Sequence, residues 1–249
     1  MKIPDLRRFT SARVSIGRTG NALPTTELLE LRLAEVRARQ AVHASLDIEH
    51  FSQEVGELAE ALIVVESAAP DGPTYVRRPD WGRRLDDQSH RILRDRRGRF
   101  DAAFIVADGL SPVAVHLHAK PLLKELLQVL PKEEWHIAPL VIVQRGRVAI
   151  GDEIGEILGA SLSVLMIGER PGLTASDSLG VYLTWTPHRG LTDADRNCIS
   201  NIRKRGLPYQ VAARKVAFLM NESRRRKISG VTLKEDKRDD FLVYIPEAP

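Results

Sequence analysis

Residues 102–112, AAFIVADGLSP, decide the fold of this chain. The apolar run Ala102–Ala107 has the length of a buried β-strand, and Asp108-Gly109 is a turn dipeptide. Ser111 suits a helix N-cap and Pro112 the first helical position, where the missing N–H of proline carries no penalty. The stretch therefore predicts a strand, a tight turn and a helix that continues through the leucines up to Leu130.

The same alternation continues towards the C-terminus. Three more strands are predicted, and the segments between and after them suit helices, with Thr192-Asp193 as the cap of one that runs to Arg203. Strands separated by helices indicate an α/β fold whose mostly parallel sheet is covered by helices. The predicted strands are Leu140–Val143, Leu162–Ile167 and Leu179–Trp185, and the predicted helices are Asp152–Leu158, Thr192–Arg203 and Pro208–Met220.

The first hundred residues begin with a helical pattern. Pro24-Thr25 starts a predicted helix with an apolar stripe (Leu28, Leu31, Ala34, Ala38 and Ala41), and a second stripe follows (Phe51, Val55, Leu58 and Leu62). Pro70–Pro73 is predicted as a turn between two short β-prone pieces. We therefore predict a mainly helical N-terminal domain over residues 1–100 and an α/β domain over residues 101–249.

Composition excludes several classes of protein. The chain has 249 residues, 43% of them hydrophobic, and a formal net charge of +4. Cys198 is its only cysteine, which excludes an intramolecular disulfide framework and a cysteine-based zinc cluster. No apolar run approaches the ~20 residues that span a bilayer, and Met1–Thr10 lacks the apolar core of a secretory signal. We expect a reducing, cytoplasmic location and no membrane contact.

An arginine-rich stretch interrupts this ordinary composition. Between Arg77 and Asp101, nine arginines stand against five aspartates, with Trp81 as the only aromatic residue well inside the segment. Three interpretations are open: a solvated helix with ion pairs, a segment docked on a partner, or a phosphate-binding surface. Together with Arg224–Lys227, the last interpretation gives the alternative function of a basic nucleic-acid-binding protein.

Three predicted strands end in irregular, glycine-containing sequence: Asp108-Gly109, Gly146-Arg147-Val148 and Gly168–Gly172. If the strands are parallel, these ends converge on one edge of the sheet, where open α/β sheets bind ligands. Ordinary turn chemistry explains any one of them equally well. Neither the dinucleotide-binding fingerprint nor the P-loop occurs in the chain.

No catalytic constellation emerges from the remaining polar residues. The seven histidines contain no His-Glu-x-x-His motif, and His116 and His118 would lie on different faces of a helix. Cys198, without a recognisable histidine partner, reads as a small packed residue of a helix. Gly151, Gly155 and Gly159 either admit a partner or pack tightly within the chain. We therefore predict no catalytic residue and no metal site, as expected for a subunit that binds a ligand.

Five motifs, in order, carry a resemblance to a known family. They are RPDWGRRL (78–85), DGLS (108–111), GRVAIGDEIGE (146–156), GERPGL (168–173) followed by SDSL (176–179), and ADRNCISNI (194–202). Together they resemble the small (light) subunit of ethanolamine ammonia-lyase, an adenosylcobalamin-dependent enzyme, over about residues 6–230.

This resemblance implies a function and a partner. The family's large subunit is a TIM barrel that holds the substrate, and its small subunit has an N-terminal helical part and a Rossmann-like domain that covers the cobalamin at the interface of a hetero-oligomer. The overall radical reaction deaminates ethanolamine to acetaldehyde and ammonia. Carried over motif by motif, the family's cofactor contacts fall on Val148, Glu169 and Cys198, and neither nucleic acid nor membrane is an expected partner.

The beginning of the chain bears on its compartment. Relatives that enter bacterial microcompartments carry an extra segment before a Leu-Arg-Arg-like start, which here lies at Leu6–Thr10. The resemblance therefore favours a free cytoplasmic enzyme, with a bacterial microcompartment as the alternative location.

Overall fold

The structure is a computed structural model that describes residues 12–14 and 16–234. Within those residues the helices are α1 (Thr25–His43), α2 (Ile48–Gly56), α3 (Gly72–Arg77), α4 (Asp87–Arg94), α5 (Pro112–Val129), α6 (Ile150–Leu158) and α7 (Tyr209–Arg226). The strands are β1 (Leu62–Glu66), β2 (Phe100–Ala107), β3 (Leu140–Gln144), β4 (Ala160–Gly168), β5 (Leu179–Trp185) and β6 (Arg196–Ile202).

The six strands form one sheet in the order β1-β3-β2-β4-β5-β6. The pairs β1–β3, β3–β2 and β2–β4 are parallel, whereas β4–β5 and β5–β6 are antiparallel. The prediction of an α/β fold with a mostly parallel sheet is therefore confirmed. β1 belongs to the first hundred residues and pairs with β3 in the same sheet (Val64 beside Ile142). A division of the chain at residue 100 stays a prediction.

One face of the sheet lies under α2, α5 and α7. Side chains that alternate along the strands, such as Phe104, Val164 and Leu183, are at most 2% exposed and pack in one apolar cluster with these helices. Ser111 caps α5 as predicted, because its side chain accepts a hydrogen bond from the backbone N–H of Ala114. The burial of this continuous apolar layer is the main force that holds the helices on the sheet.

The opposite face is covered unevenly. α4 and α6 pack over the parallel strands, where Ile105, Val141 and Leu165 form a second apolar cluster. The glycines of α6 allow close packing within the chain, since Gly151 lies against Leu165 and Gly155 against Pro187. Further along this face, β5 and β6 present Tyr182 and Cys198. We call these two residues the open face, because Cys198 is exposed and Tyr182 is only half-buried.

The prediction of a helix from Thr192 to Arg203 is wrong. Thr192 and Asp195 do form a capping box, but it closes only the single 3₁₀ turn Asp193–Asp195. The chain then extends as β6, where Ile199 and Ile202 are buried against the α5–α7 side of the sheet. The N-cap signal was real, yet pairing with β5 and the burial of these isoleucines override the helical continuation.

Two further predictions about the N-terminal part need correction. The β-prone piece after Pro73 is instead the helix α3, which Asp71 caps by accepting from the N–H of Thr74 at 2.7 Å. α1 begins at Thr25 as predicted, but its apolar stripe is only partly covered. Ala41 is buried, Leu31, Ala34 and Ala38 are half-buried, and Leu28 is 41% exposed.

Among the described residues, no helix has both the length and the apolar character that crossing a bilayer requires. The segment Leu6–Thr10, on which the expectation about a microcompartment depends, lies outside the described residues. The compartment therefore stays a prediction.

Candidate functional site

The three glycine-containing strand ends meet at one edge of the sheet, as predicted. Asp108 directly follows β2, and its carboxylate accepts hydrogen bonds from the N–H of Arg145 (2.8 Å) and of Gly146 (3.2 Å), which follow β3. Burial raises the pKa of Asp108 to about 6, although these backbone donors oppose the shift. A single buried carboxylate thus joins the ends of β2 and β3.

The end of β4 is connected to the segment that follows β2 by hydrogen bonds to backbone carbonyl groups. The N–H of Leu110 donates to the carbonyl oxygen of Gly168 at 3.0 Å, and Ser111 Oγ donates to the carbonyl of Ser176. Gly109 has a φ of +62°, and a Cβ built on it would lie 2.2 Å from the Gly168 oxygen. Only glycine fits both the conformation and the space, which explains the Asp-Gly dipeptide.

This edge contains a topological switch point. The connection from β2 to β3 runs through α5 on one face of the sheet, and the connection from β3 to β4 runs through α6 on the other. β2 and β3 are neighbours, so their carboxyl ends lead to helices on opposite faces of the sheet. Switch points of this kind are where open α/β sheets bind their ligands.

Glu169 lies at the same edge of the sheet, immediately after β4. Its Oε2 accepts hydrogen bonds from the hydroxyl of Ser178 and from the N–H of Asn201 (3.3 Å). Its Oε1 lies over β5, where a Cβ on Gly180 would come within 2.9 Å of it. The carboxylate is therefore oriented by two donors, and the absence of a side chain at Gly180 makes room for it.

Cys198 lies on β6 directly opposite Tyr182 of β5. The interpretation of Cys198 as a small packed residue of a helix is wrong, because it is an exposed residue of a strand. Desolvation raises the pKa of the Cys198 thiol, a hydrogen bond with Tyr182 opposes this shift, and the negative charge of Glu169 adds to it. Burial likewise raises the pKa of Tyr182.

Glu169, Tyr182 and Cys198 therefore form one polar cluster on the open face. Sequence reasoning predicted the first and third of these residues and missed Tyr182. Its position, with the side chain on the same face as its cross-strand partner Cys198, follows only from the antiparallel β5–β6 register. The signal was available in principle, but the mistaken helix over 192–203 concealed it.

Val148 occupies the turn between β3 and α6. It is half-buried and packs against the apolar cluster beneath α6, the cluster on which Tyr182 also rests. The structure thus places Val148 on the same side of the sheet as the polar cluster and connects it to that cluster through shared apolar neighbours.

Part of the arginine-rich stretch supports this turn. The N–H of Arg147 donates to the carbonyl of Gly82 at 2.7 Å, and the hydroxyl of Tyr75 donates to the carbonyl of Gly146 at 2.9 Å. The Arg147 guanidinium also lies 4.3 Å from the centre of the Tyr75 ring, a cation–π contact. The nine arginines from Arg77 to Arg99 are all exposed. This exposure is compatible with all three interpretations of the stretch, which stay predictions.

A buried ion pair marks the boundary between α6 and the open face. Arg196 of β6 donates from Nε to the Asp152 carboxylate at 3.1 Å, and both side chains are 3% exposed. Burial raises the pKa of Asp152 even though the hydrogen bonds and charge of Arg196 lower it. Burial has the larger effect on the pKa of Asp152 because a buried carboxylate loses its hydration on every side.

The fold and the site define a class of protein: an α/β protein with a topological switch point at the carboxyl edge of its sheet and a polar open face beside it. Residues 2–234 match the family model described as ethanolamine ammonia-lyase light chain (EutC). The chain belongs to this family.

Individual relatives agree with the family match. The ethanolamine ammonia-lyase small subunit of Pseudomonas syringae pv. tomato is 49% identical over 242 residues, 96% of this chain and 84% of that protein. The small subunits of Pseudomonas fluorescens Pf-5 and Pseudomonas aeruginosa PAO1 are each 48% identical, over 98% and 93% of this chain and 95% and 86% of their own lengths. The resemblance is confirmed, and the chain is a component of a lyase.

Proposed function

We propose that this chain binds adenosylcobalamin on its open face and beside the switch point, at the interface with a large TIM-barrel subunit that deaminates ethanolamine to acetaldehyde and ammonia. The observation that carries the proposal is the polar cluster of Glu169, Tyr182 and Cys198, which lies beside the switch point on the part of the sheet that α4 and α6 leave open. Membership of the light-chain family supports the substrate and the partner.

The residues present fit such a cofactor. A corrin is a broad disc with amide side chains around its rim, so its binding surface needs hydrogen-bond acceptors and a flat approach. Glu169 is an ionisable acceptor whose hydrogen bonds to amide donors are stronger than those of a neutral group. Gly180 makes room for the Glu169 carboxylate over β5, the small side chain of Cys198 leaves space over β6, and Val148 adds apolar contact at one side.

The contributions of this chain are binding, orientation and exclusion of water. Ser178 and Asn201 hold the Glu169 carboxylate in one orientation, so little side-chain freedom is lost when it accepts a hydrogen bond. When bound, adenosylcobalamin supplies the radical chemistry, and the protein supplies position and a closed cavity. We assign no catalytic residue to this chain.

The exposed apolar residues of α1 support assembly with a larger subunit. Leu28, Leu29, Leu33 and Val36 are 41–64% exposed on one helix. Contiguous apolar surface of this kind is typical of protein–protein interfaces. The partner that the family implies is the large subunit, and we propose that it covers α1 in the hetero-oligomer.

The test is the affinity of the assembled enzyme for adenosylcobalamin. Glu169→Gln keeps the shape of the side chain and removes its charge, so we expect the dissociation constant to rise about tenfold or more, since a hydrogen bond to a charged group is worth ~1.5–3 kcal/mol. The matched control is Glu60→Gln, a change at an exposed glutamate. Equal affinities of the Glu169→Gln enzyme and the unaltered enzyme, with the melting temperature preserved, would refute the assignment.

A further inference from the structure

Two helices on the far side of the sheet bring together three metal-ligating side chains that the proposed function does not use. His50 and Glu54 lie one turn apart on α2, and His116 lies on α5. Their candidate ligand atoms all lie within 4.8 Å of one another, and His50 Nδ1 is 3.7 Å from Glu54 Oε2. The two imidazole rings have centroids 5.7 Å apart.

From this cluster we infer that the chain has a binding site for Zn²⁺, or a similar late first-row divalent metal, that links α2 to α5. Two imidazoles and one carboxylate are a ligand set that zinc uses with a fourth position open to water. Nitrogen ligands favour zinc, nickel and copper over magnesium and calcium, which prefer oxygen. The site is independent of the cobalamin proposal.

The backbone beneath the cluster is already fixed. Phe51 and Val55, each next to a ligand in the sequence, are fully buried, and so is Val115 beside His116. All three pack in the same apolar cluster, so α2 and α5 cannot separate without opening the core. Ligands on a rigid base lose little freedom when a metal binds.

Only side-chain rotations are needed to close the site. Zinc–nitrogen bonds of about 2.0–2.1 Å place tetrahedral ligand atoms about 3.3 Å apart, and the present separations are at most 4.8 Å. His50 and His116 are exposed and Glu54 is half-buried, so their rotamers can adjust and a metal can reach them from solvent. Asp47 caps α2 through the N–H of His50 and keeps the first turn in place while the side chain moves.

Nearby charges are compatible with a cation. One turn beyond the cluster, Lys120 of α5 forms an ion pair at 3.7 Å with Glu57, the residue that follows α2. The charges of these two residues therefore compensate each other. Protons compete with metals for imidazole nitrogens, so binding should weaken in acid. A bound metal would join the two helices by coordination bonds in addition to their apolar contact.

The test is a titration of the assembled small and large subunits, purified without a histidine tag and without cobalamin, with ZnCl₂ by calorimetry and with CoCl₂ by visible absorption. We expect one Zn²⁺ per small subunit that is lost, or weakened at least about tenfold, in His50→Ala and in His116→Ala, since loss of a ligand costs no less than loss of its supporting residue. Glu54→Gln should weaken it less. His43→Ala, at another exposed histidine, should bind as the unaltered protein does.

Hydrogen exchange gives a readout that needs no variant. Zn²⁺ should slow amide exchange in residues 48–56 of the unaltered protein, because it ties α2 to α5. The inference is overturned if Zn²⁺ leaves this exchange unchanged. It is also overturned if the double variant His50→Ala/His116→Ala binds the metal as tightly as the unaltered protein.

Discussion

The two faces of the sheet differ most at β5 and β6, where one face is covered by helices and the other is not. On one face Leu183 and Ile199 are buried under α5 and α7, and on the other Tyr182 and Cys198 remain accessible. Neighbouring residues of either strand therefore lie on opposite faces, one in the core and the next on the proposed cofactor surface. The alternation of side chains along a β-strand provides both faces on strands of seven residues each.

Stability and the proposed ligand binding therefore depend on opposite faces of β5 and β6. Apolar burial on the α5–α7 face holds β5 and β6 in place. The opposite side chains are consequently free to be polar and exposed. Substitutions on the two faces should have very different effects, and the following experiments test that difference.

The largest expected effect is at the boundary of the open face. Arg196→Met leaves Asp152 buried without its partner, so the free energy of unfolding should fall by about 3–5 kcal/mol, measured by urea denaturation. The double variant Asp152→Leu/Arg196→Met should recover most of this loss, because no charge is left buried. A loss below 1 kcal/mol in the single variant would mean that this boundary is not held by the ion pair.

The covered face should respond almost as strongly. Leu183 is fully buried, so Leu183→Ala creates a cavity and should lower the unfolding free energy by about 3 kcal/mol. The control is Leu29→Ala on α1, where the side chain is 64% exposed and the expected change in the isolated chain is within ~0.5 kcal/mol. Equal effects at the two leucines would contradict the assignment of the core.

The switch-point edge should make stability depend on pH. The pKa of Asp108 is about 6 in the folded protein and lies near the ordinary 3.8 in the unfolded chain. The folded state therefore binds this proton more tightly, so the group's contribution is full below pH 4 and is lost as pH rises through 6. The loss is about 2–3 kcal/mol at 1.36 kcal/mol per pH unit.

Urea denaturation between pH 4 and 7.5 measures this slope. Because other groups also titrate there, the comparison is with Asp108→Asn, in which this part of the slope should disappear. Parallel pH profiles for the two proteins would show that Asp108 does not titrate in this range.

The smallest expected effect is on the open face itself. Cys198→Ser exchanges an exposed thiol for a hydroxyl of similar shape and should change the unfolding free energy by less than ~0.5 kcal/mol. A destabilisation close to that of Leu183→Ala would mean that β6 is packed on both faces, and the contrast between the faces would fail.

Much of the α/β part was predictable because its signals are local. The run Ala102–Ala107 is apolar throughout, as expected for a strand buried on both faces, and Ser111-Pro112 marks the next helix start by side-chain and ring chemistry. The convergence of the strand ends followed from parallel pairing alone. The family resemblance added Glu169 and Cys198 as expected cofactor contacts, and that assignment stays a prediction.

The failures arise where two local signals conflict or where burial decides. Thr192 and Asp195 form a genuine cap, but nothing local reveals that only one turn follows it. The apolar stripe of α1 is genuine too, yet periodicity cannot show what an apolar face lies against. The pairing of His50 with His116 is out of reach for the same reason, because it depends on the packing of α2 on α5.

The order of strands in the sheet also has a consequence for how the chain folds. The antiparallel segment β4–β5–β6 closes short loops, whereas β1 must find β3 across the chain that separates Leu62 from Leu140. Short loops lose less entropy on closure, and local pairing is faster than distant parallel pairing. We therefore expect the β5–β6 hairpin, which carries the open face, to form early in folding. The pairing of β1 with β3 should form later and more slowly.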